Sequence, residues 1–182
     1  RHVVDVDDLP PLATVLYQAD YGVDGEMMRV VIDPAFASGA VDLWYSEIPE
    51  PEADPPATNL LAFATGEWAD GTIVGPEERE EADTDPRAQV AALRWWTGTG
   101  QVHQIYVIPH MRRRGIGSKL VLAGAALTVG RRWPSLWSNG DLTDLGNSWI
   151  SASVWAPRVA PRSSVVPPMT PGGDPAPPTS DP

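Results

Sequence analysis

The sequence predicts a mixed α/β domain: a mostly antiparallel sheet flanked by helices, followed by an extended proline-rich C-terminal tail. Three observations carry this. Asn59–Thr65, Ala88–Trp96 and Gln101–Ile108 are strand-like runs, the last two joined by the tight turn Gly98-Thr99-Gly100. Gly115–Val129 is strongly apolar and sets Ile116, Leu120, Ala123, Gly124 and Leu127 at helical steps. Nine of the 20 prolines fall in Pro157–Pro182, a stretch with too little apolar surface to offset the entropy of ordering it. With 182 residues, the expectation is one domain over 1–156 and a tail over 157–182.

The elements follow in order. Val3–Val6 reads as a short strand. Asp8 is a candidate N-cap, with Pro10 and Pro11 tolerated in a first turn. Leu9, Leu12, Val15, Leu16 and Ala19 then recur at helical spacing, and Gly22 closes that helix. Asp24 opens a second helical stretch with Met27, Val30 and Val31 on one side, ended at Pro34. An acidic insertion at about 66–87 separates the first two strands of the meander. Its densest part, Glu77–Asp85, is a like-charge run that reads as a solvated loop rather than a calcium site, because no spaced Asp-x-Asp-x-Asp-Gly pattern is present. Ser135–Ser138 is a short buried strand and Thr143–Val154 a last helix. The order strand, helices, antiparallel strands, then strand–helix–strand–helix gives the mixed sheet. Trp95, Trp96, Trp133 and Trp137 are expected in the core, and Trp149 and Trp155 on a partner-facing helix.

Composition removes several kinds of function. A net charge of −11 argues against a general nucleic-acid binder. The absence of cysteine excludes disulfides, thiol catalysis and cysteine-based metal sites. His2, His103 and His110 lack metal-ligand spacing, so no metal is expected. The longest apolar run, Leu120–Val129, is too short to span a bilayer, and no signal segment opens the chain. Twelve of the 13 basic residues are arginine. The one lysine, Lys119, follows Ser118 rather than preceding a Ser or Thr, which rules out a Walker loop.

Chemistry concentrates in one segment. A strand ends at Val107-Ile108-Pro109, His110-Met111 follows, and Arg112-Arg113-Arg114-Gly115-Ile116-Gly117-Ser118 leads into the apolar helix. Free amides of a helix's first turn, its dipole, three arginines and Lys119 together form an anion site suited to a diphosphate. The dinucleotide pattern Gly-x-Gly-x-x-Gly fails because Leu120 stands at its third glycine.

Arg-x-x-Gly-x-Gly after a strand ending Val-x-Pro instead closely resembles the coenzyme A loop of the GNAT acyltransferase superfamily, with Arg112, Gly115 and Gly117 at the signature positions. The Thr143-x-x-Gly146-x-x-Trp149 pattern is similar to GNAT-like proteins of actinobacteria and their phages. The resemblance implies an acetyl-CoA-dependent N-acyltransferase that binds its cofactor through Val107, Ile108 and the run Arg112–Lys119. It further implies that a strand N–H near Val107 or Ile108 polarises the thioester carbonyl while an amine of a small molecule or protein attacks. Two family features are missing: the strand carries no carboxylate to act as base, and the last helix no tyrosine to act as acid. His103 and Tyr106 are the candidate replacements, although His103 reads equally as a hydrogen-bonded strand residue and Tyr106 as packing. These gaps keep a second expectation open: a catalytically silent GNAT-fold structural or adaptor subunit of a larger assembly, such as a phage particle. In that case the tail 157–182 would grip neighbouring proteins, and an oligomer is compatible with either reading. The corresponding locations are the bacterial cytoplasm or a virion. Arg1 without a preceding Met implies either processing or a Met left out of the numbering.

Overall fold

The computed structural model describes residues 15–23, 25–142, 144–151 and 164–165. The expected strand Val3–Val6, the Asp8 cap with Leu9 and Leu12, His2, Trp155 and nearly all of the tail lie outside the described residues.

A five-stranded sheet forms the centre. Its order is β5 (Ile73–Val74), β3 (Trp44–Glu50), β4 (Ala57–Phe63), β6 (Gln89–Trp96), β7 (Val102–Val107), antiparallel except for the short parallel β3–β5 pair. The expected meander is present. β3 goes unannounced by its sequence, because Ser46 and Glu47 are buried within it and Pro49 lies near its end. β5 covers only Tyr45 and Ser46, so Pro49 adjoins an edge that needs no N–H.

The helix α2 (Ile116–Gly130) packs on one face of this sheet. β1 (Tyr17–Tyr21) and β2 (Met27–Ile32) form an antiparallel hairpin that also packs on α2, and β2 is tied to the β5 end of the sheet by an Arg29–Thr72 bridge and the Val30 N–H donating to the Gly71 carbonyl at 2.9 Å. Packed against both the sheet and the hairpin, α2 is apolar almost all round and buries most of its residues. Leu60, Leu93 and Trp95 from the sheet meet Leu120, Ala123 and Leu127 from α2 and Val30 from β2 in one core. The hairpin corrects two expectations, since Leu16–Ala19 and Met27–Val31 are not helical. Half of β2 is β-branched (Val30, Val31 and Ile32), and pairing between strands overrides weak helical periodicity.

The opposite face of the sheet has a smaller core of Trp44, Phe63 and Val74, with Trp44 stacked on Phe63 at 4.2 Å. The acidic insertion wraps this side through Trp68, β5 and α1 (Pro76–Glu81). Part of the expected loop is therefore helical: Pro76 stands in the first turn, and Glu78 accepts from the Gly75 N–H at 2.8 Å. Its acidic side chains are largely solvated, as expected. Beyond α2, a segment through Leu136 and Trp137 leads to β8 (Asp141–Leu142) and α3 (Asp144–Ser151). β9 (Ser164–Val165), within the expected tail, pairs parallel with β8. Leu136 is buried as expected, but Trp137 is 40% exposed and Trp96 half-buried on the outer face, so neither belongs to the main core.

Candidate functional site

The site begins where β7 loses its second neighbour. At its start, Val102 donates to the Trp137 carbonyl at 2.8 Å and Trp137 donates to Gly100 at 3.0 Å. Gly100 is required there, because its φ is +73° and a Cβ would collide with the carbonyl oxygens of Ser135 and Pro134. This parallel bridge, Gln101 to Trp137, is isolated, and among the described residues no strand continues alongside β7 beyond it. The two backbones pair at this one point. Ile108 donates to Val90 at 2.9 Å, so at period two the amides of Tyr106 and Gln104 also turn toward β6. Those of Ile105 and Val107 turn toward the open side.

The pairing with β6 shifts between Arg94 and Trp95, leaving His103 as an extra residue in β7. Strict alternation would send His103 to the α2 face with Ile105 and Val107. The bulge re-aims it outward, onto Trp96 at 4.6 Å between ring centres. Burial, and then the charge of Arg94, hold its ring pKa below the ordinary histidine value. Arg94 is itself held by Glu50, through Nε at 3.0 Å and Nη2 at 2.7 Å. Tyr106 shares this outer face, with the Arg112 guanidinium 5.9 Å from its ring centre.

At the far end of β7 the backbone forms a cradle. Met111 and Arg112 donate back to Ile108 and Pro109 in a single tight turn. Arg113 and Gly115 then adopt left-handed conformations, φ +60° and +70°. A Cβ on Gly115 would stand 2.7 Å from the carbonyl oxygens of both Ala37 and Ser38, so only glycine fits. The first helical bond of α2 is Lys119 N–H to Gly115 O at 2.9 Å. The amides of Ile116, Gly117 and Ser118 precede it and have no helical acceptor, which leaves them facing outward. Arg112 folds back and donates from Nε to the Val107 carbonyl at 2.8 Å, joining cradle to strand. Arg113 and Arg114 are exposed.

Not every residue of the expected site points there. The Ile116 side chain is in the core, leaving only its backbone to the cradle. Lys119 is a clearer departure: its ammonium turns inward to Asp70 Oδ1 at 2.6 Å and the Val41 carbonyl at 2.9 Å. One helical residue past Ser118, its side chain falls on the buried side of α2, where Asp70 also accepts from Leu43 N–H. Ile108 N–H is likewise committed to Val90 and free for no ligand. The residue that sequence reasoning misplaced is Trp149. Its indole, from α3, lies 3.7 Å from where a Gly117 Cβ would be, and its Nε1 donates to Ser118 Oγ at 3.0 Å.

An antiparallel sheet whose edge strand leads through a glycine-bounded turn into a buried helix agrees with the sequence comparison. The acetyltransferase (GNAT) family model matches residues 38–133, just over half of the chain, from the start of the sheet through the end of α2. The chain belongs to the GNAT acetyltransferase family. No curated protein and no solved structure matches it. The matched span of this GNAT domain contains β3–β7, the cradle and α2, whereas the β1–β2 hairpin and α3 lie outside it. Among the described residues, no three His, Asp or Glu side chains cluster as a metal site, and no helix is long and apolar enough to cross a membrane.

Proposed function

We propose that this GNAT protein is an N-acyltransferase that moves an acetyl group from acetyl-CoA to an amine of a small molecule or protein. The observation that carries the reading is the start of α2 just after β7, where the amides of Ile116, Gly117 and Ser118 have no acceptor among the described residues. The residues fit the cofactor. The amides of Ile116, Gly117 and Ser118 suit a diphosphate, Gly117 brings no side chain into its path, and Arg113 and Arg114 add positive charge.

Bound there, the cofactor would supply an acyl thioester. The Val107 N–H faces the open side of β7 and is the strand donor for the thioester oxygen, since the Ile108 N–H is already used. His103, whose pKa burial and then the Arg94 charge hold below the ordinary histidine value, is the group to take a proton from the attacking amine. Tyr106, beside Arg112 on the same outer face, is the phenol available to protonate the departing thiolate. Arg112 keeps strand and cradle in register.

Thermal unfolding with and without CoA tests the cofactor. At about 100 times its Kd, CoA adds about 2.7 kcal/mol of stability. An unchanged Tm at millimolar CoA would exclude the cofactor. Incubation with acetyl-CoA and a mixed amine library, read by free-thiol release, tests transfer. CoA binding with no turnover on any amine would favour the second reading, a catalytically silent GNAT-fold subunit of a larger assembly. Two observations support that alternative: β7 carries no carboxylate, and a tryptophan rests on the cradle.

A further inference from the structure

The cradle has an occupant of its own. Ser118 Oγ, the hydroxyl at the mouth of the first turn of α2, accepts the Trp149 indole N–H at 3.0 Å. The Cε2 and Nε1 atoms of the same ring lie at van der Waals distance from the Cβ position of Gly117. A ligand that approached Gly117 from this side would meet the ring. Trp149 also packs against the main core, so the indole is seated rather than merely adjacent. The cradle itself is rigid, because Gly115 is wedged against Ala37 and Ser38 and Lys119 is bonded to Asp70.

We infer that Trp149 is a latch: its indole competes with the diphosphate of the cofactor for the Gly117–Ser118 surface, and α3 must shift before the cofactor can seat. This rests on the reading of the cradle as the coenzyme A site. The closed arrangement lowers apparent affinity by the fraction of molecules that are open, so weakening the latch tightens binding without adding any contact. Trp149→Ala removes both the hydrogen bond and the ring packing, and Trp149→Phe removes the hydrogen bond alone.

The test is isothermal titration of CoA into the parent protein and both variants, with association followed by stopped flow. Trp149→Ala binds CoA about tenfold more tightly, and Trp149→Phe falls between the two. Association with the parent saturates at high CoA because α3 opening limits it, whereas with Trp149→Ala it stays linear. Equal affinity in all three proteins overturns the latch and leaves the cofactor site intact. Weaker binding by the variants also overturns it, making Trp149 a packing partner of the cofactor. No binding by any of the three defeats both the latch and the cofactor site. Should Trp149→Ala fail to fold, Trp149→Phe, which keeps a ring in place, carries the same comparison.

Discussion

Lys119 offers the sharpest check on the geometry, because sequence and structure give it opposite jobs. Its position beside three arginines at a helix start reads as a phosphate ligand, yet its ammonium is bonded inward to Asp70 and to the Val41 carbonyl. The pair is enclosed, with side-chain exposures of 6% for Lys119 and 22% for Asp70. Replacing Lys119 by Met keeps the apolar stem but strands a carboxylate and a carbonyl. Breaking a buried pair from one side costs about 3–5 kcal/mol. Water reaches Asp70 in part and the Leu43 N–H still bonds to it, so the lower end, about 3 kcal/mol, is expected. For a chain of this size that is a Tm decrease of about 6–12 °C.

The partner variant separates pairing from packing. Asp70→Asn retains an acceptor for Leu43 and carries no charge, so Lys119→Met with Asp70→Asn recovers about 1–2 kcal/mol of the single-variant loss. Urea unfolding of the parent, both single variants and the double variant gives the coupling. If Lys119→Met unfolds within about 0.5 kcal/mol of the parent while its CoA affinity collapses, the ammonium serves the ligand and the inward assignment is wrong.

The two glycines of the cradle are expected to part company. Gly115→Ala forces a side chain into a left-handed residue against two carbonyl oxygens and costs about 2–4 kcal/mol, whereas Gly117→Ala meets only ordinary contact and gains about 0.5–1 kcal/mol by stiffening the helix start. Equal melting temperatures for the two variants in calorimetry would contradict this. If His103 is the base, kcat/KM rises with pH through a pKa below 6.5 and is flat above it, because burial and Arg94 both disfavour the protonated ring. Arg94→Met moves that limb upward only in part, since burial is the larger cause, and a wild-type profile with no acid limb excludes His103 from the role.

What the sequence disclosed depended on how directly each segment's pattern reflects its packing. The cradle was legible because a left-handed glycine, an apolar helix and a preceding strand each leave a mark within one run of residues. The β1–β2 hairpin was not, and the reason is local. The β1–β2 register shifts beside Asp20 and Tyr21, leaving Met28 as an extra residue in β2. Met27 and Val30 therefore both face the core three positions apart, imitating a helical step within a strand. β3 was obscured by Glu47, a buried acid that looks like a surface residue until Arg131 is seen bonded to it at 2.6 Å from the end of α2. The place of Trp149 was beyond reach for a different reason. It depends on the packing of α3 against a residue 31 positions earlier, and no local pattern encodes that.

The two buried pairs together explain why the cradle and its cover should behave differently. Lys119–Asp70 fixes the first turn of α2 to the loop before β5, and Arg131–Glu47 fixes the residue that caps its C-terminus to β3. Between those ends the helix packs on the sheet and the hairpin in one core, so a rotation or a slide would expose core or unpair a charge. Burial, the largest influence, holds the pKa of Glu47 above the ordinary carboxylate value while the bonded Arg131 pulls it down. A ligand arriving at the first turn of α2 therefore meets a surface that cannot adapt to it. The part that can yield is α3, which reaches that surface through the Trp149 indole and lies outside the matched family span. Variation in the cradle should therefore change whether a diphosphate fits at all, and variation at Trp149 should change how readily it enters.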